Sequence, residues 1–185
     1  LNGFIEHAIF LDKFSASVGV LGNYSNDFGF NTYFGGDMGY AFSSSLKAFA
    51  SVNQSLRLPT FTDLYTSNSA LQGSPDLKPE TALTYELGLK YTTRFVNAGL
   101  SGYYRQGRNV IDWIKTPDEI KFKSVNHAQV DALGGEAFAE YAPMQFLQRV
   151  KLSYSYLWLD KATDEYVSKY ALDYLRQKVA LTLDH

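Results

Sequence analysis

A chain of 185 residues with 45% hydrophobic content and a formal net charge of -2 can build a sizeable core, and its scattered Lys and Arg residues offer no basic field for nucleic acid. The absence of cysteine excludes a disulfide framework and thiolate metal sites. No run approaches the roughly 18 consecutive apolar residues of a transmembrane helix, whereas 14 Tyr, 13 Phe and 14 Gly against 5 Pro favour strands.

The chain opens on Leu1-Asn2-Gly3-Phe4, which carries no charged stretch followed by an apolar one, so any export signal is expected upstream. Period-2 alternation then predicts strands over 4–11, 13–24, 28–42 and 46–57. In the second of these, Phe14 to Val20 opposes Lys13, Ser15, Ser17 and Gly19. A tight link at Ser43-Ser44-Ser45 separates the third from the fourth, and a long one over 58–80 follows. The strand predicted over 81–92 sets Tyr85, Leu87, Leu89 and Tyr91 against Thr84, Glu86, Gly88 and Lys90. Tight links near Thr93-Arg94 and Pro143-Met144 frame two long strands, 95–115 and 120–142. Over 148–160 the face Val150, Leu152, Tyr154, Tyr156, Trp158 opposes Arg149, Lys151, Ser153 and Ser155; a long link over 160–170 then leads to a last strand, 171–184.

Short links thus alternate with longer ones, as in an up-and-down membrane barrel with short turns on the periplasmic side and long loops outside. The strands over 95–115 and 120–142 exceed the ~9–11 residues a tilted strand needs to cross the hydrocarbon, so they should project beyond it. Tyr40, Phe42, Tyr91, Phe95, Tyr141 and Trp158 lie near strand ends and fit interfacial girdles. The expected fold is all-β: an antiparallel up-and-down transmembrane β-barrel segment of about nine strands. The alternative is that these aromatics pack the core of a soluble β-sandwich.

The most informative stretch runs Asn53-Gln54-Ser55-Leu56-Arg57-Leu58-Pro59-Thr60-Phe61-Thr62-Asp63-Leu64-Tyr65, then Pro75-Asp76-Leu77-Lys78-Pro79-Glu80, then Thr84-Tyr85-Glu86-Leu87-Gly88-Leu89. Further on come Asn109-Val110-Ile111-Asp112-Trp113-Ile114 and the spacing Asn126, Val130, Gly134, Glu136. In order and spacing these resemble the barrel motifs of TonB-dependent outer-membrane receptors, closest in flavour to cobalamin and siderophore receptors. Ser74 stands where that family usually has Asn. The resemblance covers most of the chain from about Glu6 onward.

Much of this pattern also has a structural reading. Pro59, Pro75 and Pro79 fall where strands end, because proline removes a ladder donor. Arg57, Glu86 and Glu136 should face the lumen, where charges can pair, and Gly134-Gly135 should mark a bend or bulge. His7, His127 and His185 have no metal-ligand spacing, and neither a Gly-x-Ser-x-Gly elbow nor a His-Glu-x-x-His pair occurs, so no catalysis, metal or cofactor is expected.

The resemblance implies a barrel of about 22 strands with a plugged lumen. Residues 1–185 would then be a partial barrel, with the plug domain upstream and the final strands downstream. It further implies outer-membrane lipid around the wall in a Gram-negative bacterium, a small-molecule nutrient ligand, and a TonB-type energy-coupling partner engaged through an upstream segment. Ligand contacts from this segment are expected at the outer strand halves and loops, on Tyr65, Arg105, Trp113 and Tyr166. A passive porin-like channel and a soluble adhesive module are the rival functions.

Overall fold

The computed structural model describes residues 1–142, 148–161, 166–169 and 175–185. Among these residues nine long strands pair in chain order to form one antiparallel sheet: β1 (Asn2–Phe10), β2 (Phe14–Ser25), β3 (Gly29–Ala41), β4 (Leu46–Arg57), β6 (Glu80–Thr92), β7 (Val96–Lys115), β8 (Phe122–Tyr141), β9 (Arg149–Lys161) and β11 (Gln177–Asp184). The connection from β4 to β6 contains a short helix, α1 (Phe61–Tyr65), and a two-residue strand, β5 (Leu71–Gln72). A second short strand, β10 (Val167–Ser168), lies between β9 and β11. The up-and-down order is the expected one, and the two short strands and the helix are additions within links read as loops.

Local chemistry closes the tight turns. Leu11 N–H donates to the Phe14 carbonyl at 2.7 Å and Thr93 N–H to that of Val96 at 2.7 Å. Ser43 Oγ accepts from the Ser45 and Leu46 N–H groups at 3.2 and 3.1 Å, a serine turn that frees the chain to reverse. At the opposite end the β2–β3 connection is also short, since Gly29 takes a φ of +67°, open to glycine at little cost. The link expected near Pro143-Met144 lies outside the described residues, as does much of that over 160–170.

Residues directly opposite each other across antiparallel strands share a face, so the register sorts every side chain. Ser51 pairs with Glu86, Glu86 with Tyr103, and Tyr103 with Gly134; Arg57 pairs with Glu80, Thr84 with Arg105 and Ser101 with Glu136. One face is therefore polar and carries Arg57, Glu86 and Glu136 together. The other reads Leu89 against Leu100, Ala137 against Tyr154, Tyr154 against Val179 and Leu152 against Leu181. Among the described residues no second sheet covers this apolar face: Leu87 is 69%, Leu100 59% and Leu181 62% exposed. A sandwich would bury these side chains; a membrane wall presents them to lipid.

The girdle residues Tyr40, Tyr91 and Tyr141 sit on the apolar face beside the short turns, and Trp158 and Tyr104 sit on it further up, both against Leu133. Beyond them the same face turns polar. Tyr104 Oη donates to Asp131 Oδ2 at 2.7 Å, and Gln129 Nε2 donates to the same oxygen at 2.7 Å. β7 and β8 continue past this boundary, being 20 residues each.

A bulge at Gly134-Gly135, one of the two expectations there, is absent. Tyr103 pairs with Gly134 and Gly102 with Gly135, and on the other side Leu157 and Tyr156 do the same, in unbroken register. Gly134 has a packing reason instead: a Cβ there would overlap the Tyr103 ring. The distortion in this hairpin lies at Asn109, which holds a φ of +52° while the pairs Arg108–Gln129 and Val110–His127 keep one register around it. Asn tolerates this left-handed conformation better than most residues.

Candidate functional site

Above the apolar band, three connections converge on the upper half of the β7–β8 hairpin: β2–β3 through Phe28, β4–β6 through α1 and β5, and β9–β11 through β10. β5 pairs with β8 at Phe122–Lys123, and β10 pairs with β7 at Ile114 and Lys115. The hairpin thereby becomes a small four-stranded platform at the long-loop end of the sheet.

The charged centre of this platform starts at Arg57, the last residue of β4. Its guanidinium donates through Nε to Glu80 Oε2 at 3.1 Å, and two weaker contacts run from Nη1 to Asp63 Oδ2 at 3.4 Å and from Nη2 to the Ile111 carbonyl at 3.3 Å. One planar fork thus ties the end of β4 to the start of β6, to α1 and to β7. Glu80 also accepts the Ile111 N–H at 3.3 Å and lies 3.8 Å from the Arg105 guanidinium.

Thr60-x-x-Asp63 starts α1 as a capping box. Thr60 Oγ1 accepts the Asp63 N–H at 3.2 Å, and Asp63 Oδ2 accepts the Thr60 N–H at 3.0 Å and its hydroxyl at 2.8 Å. Pro59 precedes the cap, where no ladder donor is needed. The second Asp63 oxygen accepts Trp113 Nε1–H at 3.2 Å. Asp63 is 4% exposed, and burial alone would raise its pKa; the two Thr60 hydrogen bonds, the Trp113 hydrogen bond and the Arg57 charge outweigh it and hold the carboxyl below the ordinary value.

Leu64, Leu77 and Ile111 form a buried apolar cluster beside this node, with Phe28 packed against it. The Leu77-Lys78-Pro79 segment is clipped to β8 by Asn126: Lys78 N–H donates to Asn126 Oδ1 at 2.8 Å, and Asn126 Nδ2 donates to the Lys78 carbonyl at 2.9 Å and the Asn109 carbonyl at 2.7 Å. The spacing that places Asn126 in the motif is accounted for by this clip. From the third connection, Lys169 N–H donates to the Trp113 carbonyl at 2.7 Å, its ammonium stands 5.9 Å from the Trp113 ring, and Ser168 Oγ donates to Asp112.

Of the residues singled out in the sequence, Trp113 is 1% exposed, at the centre of the node. Its indole fastens the connections rather than presenting a free ring. Tyr65 ends α1 and is 55% exposed, its ring 5.0 Å from that of Phe61, itself 78% exposed. Arg105 stands on the polar face with its side chain 45% exposed, joined to the node through Glu80. Tyr166 is half-buried just before β10. Asp63, Glu80 and Phe61 were not among the expected site residues, although the Thr60-x-x-Asp63 spacing was a usable signal for the first. Among the described residues, no group of three or more His, Asp or Glu side chains is placed to hold a metal ion.

The model of the family "TonB dependent receptor-like, beta-barrel" matches residues 2–184. The vitamin B12 transporter BtuB of Vibrio vulnificus is 32% identical over 103 residues, which cover 52% of this chain and 16% of the transporter. That of Photobacterium profundum is 35% identical over 74 residues, 40% of this chain and 12% of the transporter. Among solved structures, the ferric enterobactin receptor PfeA of Pseudomonas aeruginosa superposes with a TM-score of 0.76 at 17% identity, over 99% of this chain and 30% of the receptor. The siderophore receptor PirA of the same organism gives 0.70 at 19%, over 85% of this chain and 31% of the receptor. The matched stretch is thus about a sixth or less of the curated relatives, and about three tenths of the solved chains. A two-faced, up-and-down sheet and a family match spanning nearly every residue agree: this chain belongs to the TonB-dependent receptor-like β-barrels.

Proposed function

We propose that these residues form a wall sector and external rim of a Gram-negative outer-membrane receptor. The receptor binds a scarce nutrient, a siderophore, other metal chelate or cobalamin, and imports it with energy from a TonB-type partner engaged by an upstream segment. It acts as a receptor and not as an enzyme. The observation that carries this reading is the pairing of a lipid-compatible outer face with an interlocked rim built from the family's motif residues. Among the described residues β1 and β11 each pair on one side only, and unpaired edges are costly in lipid, which supports closure by further strands of a larger barrel; a plug domain within it is part of the same proposal.

Ligand contacts on this sector are assigned to Tyr65 and Arg105, both exposed, and to Tyr166, half-buried on the third connection. Trp113 acts by positioning α1 through Asp63. The test is uptake of labelled cobalamin and ferric siderophores by cells that depend on the full-length receptor. Uptake should stop when the inner-membrane proton gradient is dissipated, and Tyr65→Ala with Arg105→Ala should weaken ligand binding. Uptake that continues without that gradient would mean a passive, porin-like channel.

A further inference from the structure

On the outward side of β4, β6 and β7, the same face that carries Leu87 and Leu100 turns polar toward the long-loop end. Gln54 stands opposite Leu83 and Leu83 opposite Gln106; one step further up, Leu56 stands opposite Thr81 and Thr81 opposite Arg108. Gln54, Thr81, Leu83, Gln106 and Arg108, with Phe34 of β3, surround a cavity of about 200 Å³ in which Arg108 is the one charged side chain. Arg108 is exposed, and its Nη1 donates to Gln129 Oε1, a neutral amide. Gln129 is held in turn by Asp131, whose Oδ2 accepts both Gln129 Nε2 and Tyr104 Oη at 2.7 Å. None of the salt bridges among the described residues includes Arg108. Its guanidinium is therefore oriented without being neutralised, and most of its N–H donors stay available. The floor of the cavity is apolar: Phe34 is 49% exposed, and the face continues down β6 from Leu83 through Tyr85 to Leu87.

We propose that this cavity seats the phosphorylated headgroup of an outer-leaflet lipid. The inference rests on the wall-sector reading above, which turns this face toward lipid. A guanidinium fork matches two phosphate oxygens at once, and the amides of Gln54 and Gln106 and the Thr81 hydroxyl add neutral donors around it. The height agrees. Arg108 lies four residues beyond Tyr104 on β7, roughly 13 Å along an extended strand, and Tyr and Trp mark the level where hydrocarbon gives way to headgroups. A free phosphate would engage Arg108 and leave Phe34 and Leu83 wet. A lipid sets its phosphate on Arg108 and covers the apolar floor with the chains of the same molecule.

Native mass spectrometry of the full-length receptor in detergent, titrated with bisphosphorylated lipid A, tests this; the dephosphorylated lipid and inorganic phosphate are the comparison probes. Arg108→Gln should weaken retention of lipid A by about tenfold, through loss of a charged hydrogen-bond partner. Thr81→Asp, which sets a carboxylate directly opposite the guanidinium, should do the same. Arg94→Gln, in the short turn at the other end of the sheet, should bind like the parent. Equal retention by the parent and Arg108→Gln receptors would overturn the site, and so would undiminished binding of the dephosphorylated lipid. An equal loss in Arg94→Gln would mean unspecific charge attraction, and displacement by inorganic phosphate at matched concentration would mean a small-anion site; either overturns the headgroup. If Leu87→Arg still destabilises the barrel in bilayers more than Glu86→Gln does, such a failure removes this site alone. Similar effects of those two substitutions would remove the wall-sector reading itself.

Discussion

Asp63 and Trp113, fifty positions apart, hold each other in place at the centre of the rim. Trp113→Phe keeps most of the apolar volume and leaves one carboxylate oxygen without its donor, which should cost about 1–3 kcal/mol. Trp113→Ala also opens a cavity and should cost about 3–5 kcal/mol. Denaturant unfolding of the refolded receptor gives both values, and faster hydrogen exchange in the 58–79 connection should accompany them. If Trp113→Ala left exchange there unchanged, the indole would not be the fastener described. The lowered Asp63 pKa also fixes a pH dependence. A depressed folded-state value contributes stability in full above the ordinary 3.8 and loses it as pH falls through the folded value, so the rim should loosen only below pH 3.8. The difference in indole fluorescence between the receptor and its Trp113→Phe variant reports this step, and Asp63→Asn should abolish it.

Single elements show what the glycine and asparagine positions do. A Cβ on Gly88 would lie 2.6 Å from Phe49 Cζ and 2.7 Å from the Leu100 carbonyl oxygen. The ring could swing away, but the oxygen belongs to the β6–β7 ladder, so Gly88→Ala should cost about 1–3 kcal/mol in unfolding free energy. Asn109 separates the regular lower hairpin from the part that meets β5 and β10. Asn109→Gly should be tolerated, whereas Asn109→Val, which must hold φ near +52°, should cost about 1–2 kcal/mol and loosen the β10 contact. Protease sensitivity of the rim is the readout, and equal resistance in both variants would show that the left-handed residue is not what sets the hairpin's course. Strand positions were legible because alternation is local. The expected bulge at Gly134-Gly135 failed because a glycine's sequence cannot distinguish a bend from room left for a ring on the next strand, here Tyr103.

For the whole molecule, the two faces of one sheet meet different surroundings. Leu87→Arg puts a charge on the apolar face and should destabilise the barrel in bilayers by about 2–4 kcal/mol if it lies near the midplane. Glu86→Gln, one residue away on the polar face, should change it far less. Denaturant titration in lipid vesicles compares them; similar losses for both would contradict the assignment of faces. Residues 1–185 by themselves determined the period-2 strands, their up-and-down order, the polar and apolar sets and the motif order, because each depends on neighbours along the chain or on fixed spacing. Only the tertiary structure decided that Trp113 is enclosed and not offered at the mouth, that Asn126 clips Lys78, and that β5 and β10 brace the hairpin. Those facts rest on contacts between residues far apart in the chain, whose meeting follows from strand register and connection path and from no local pattern.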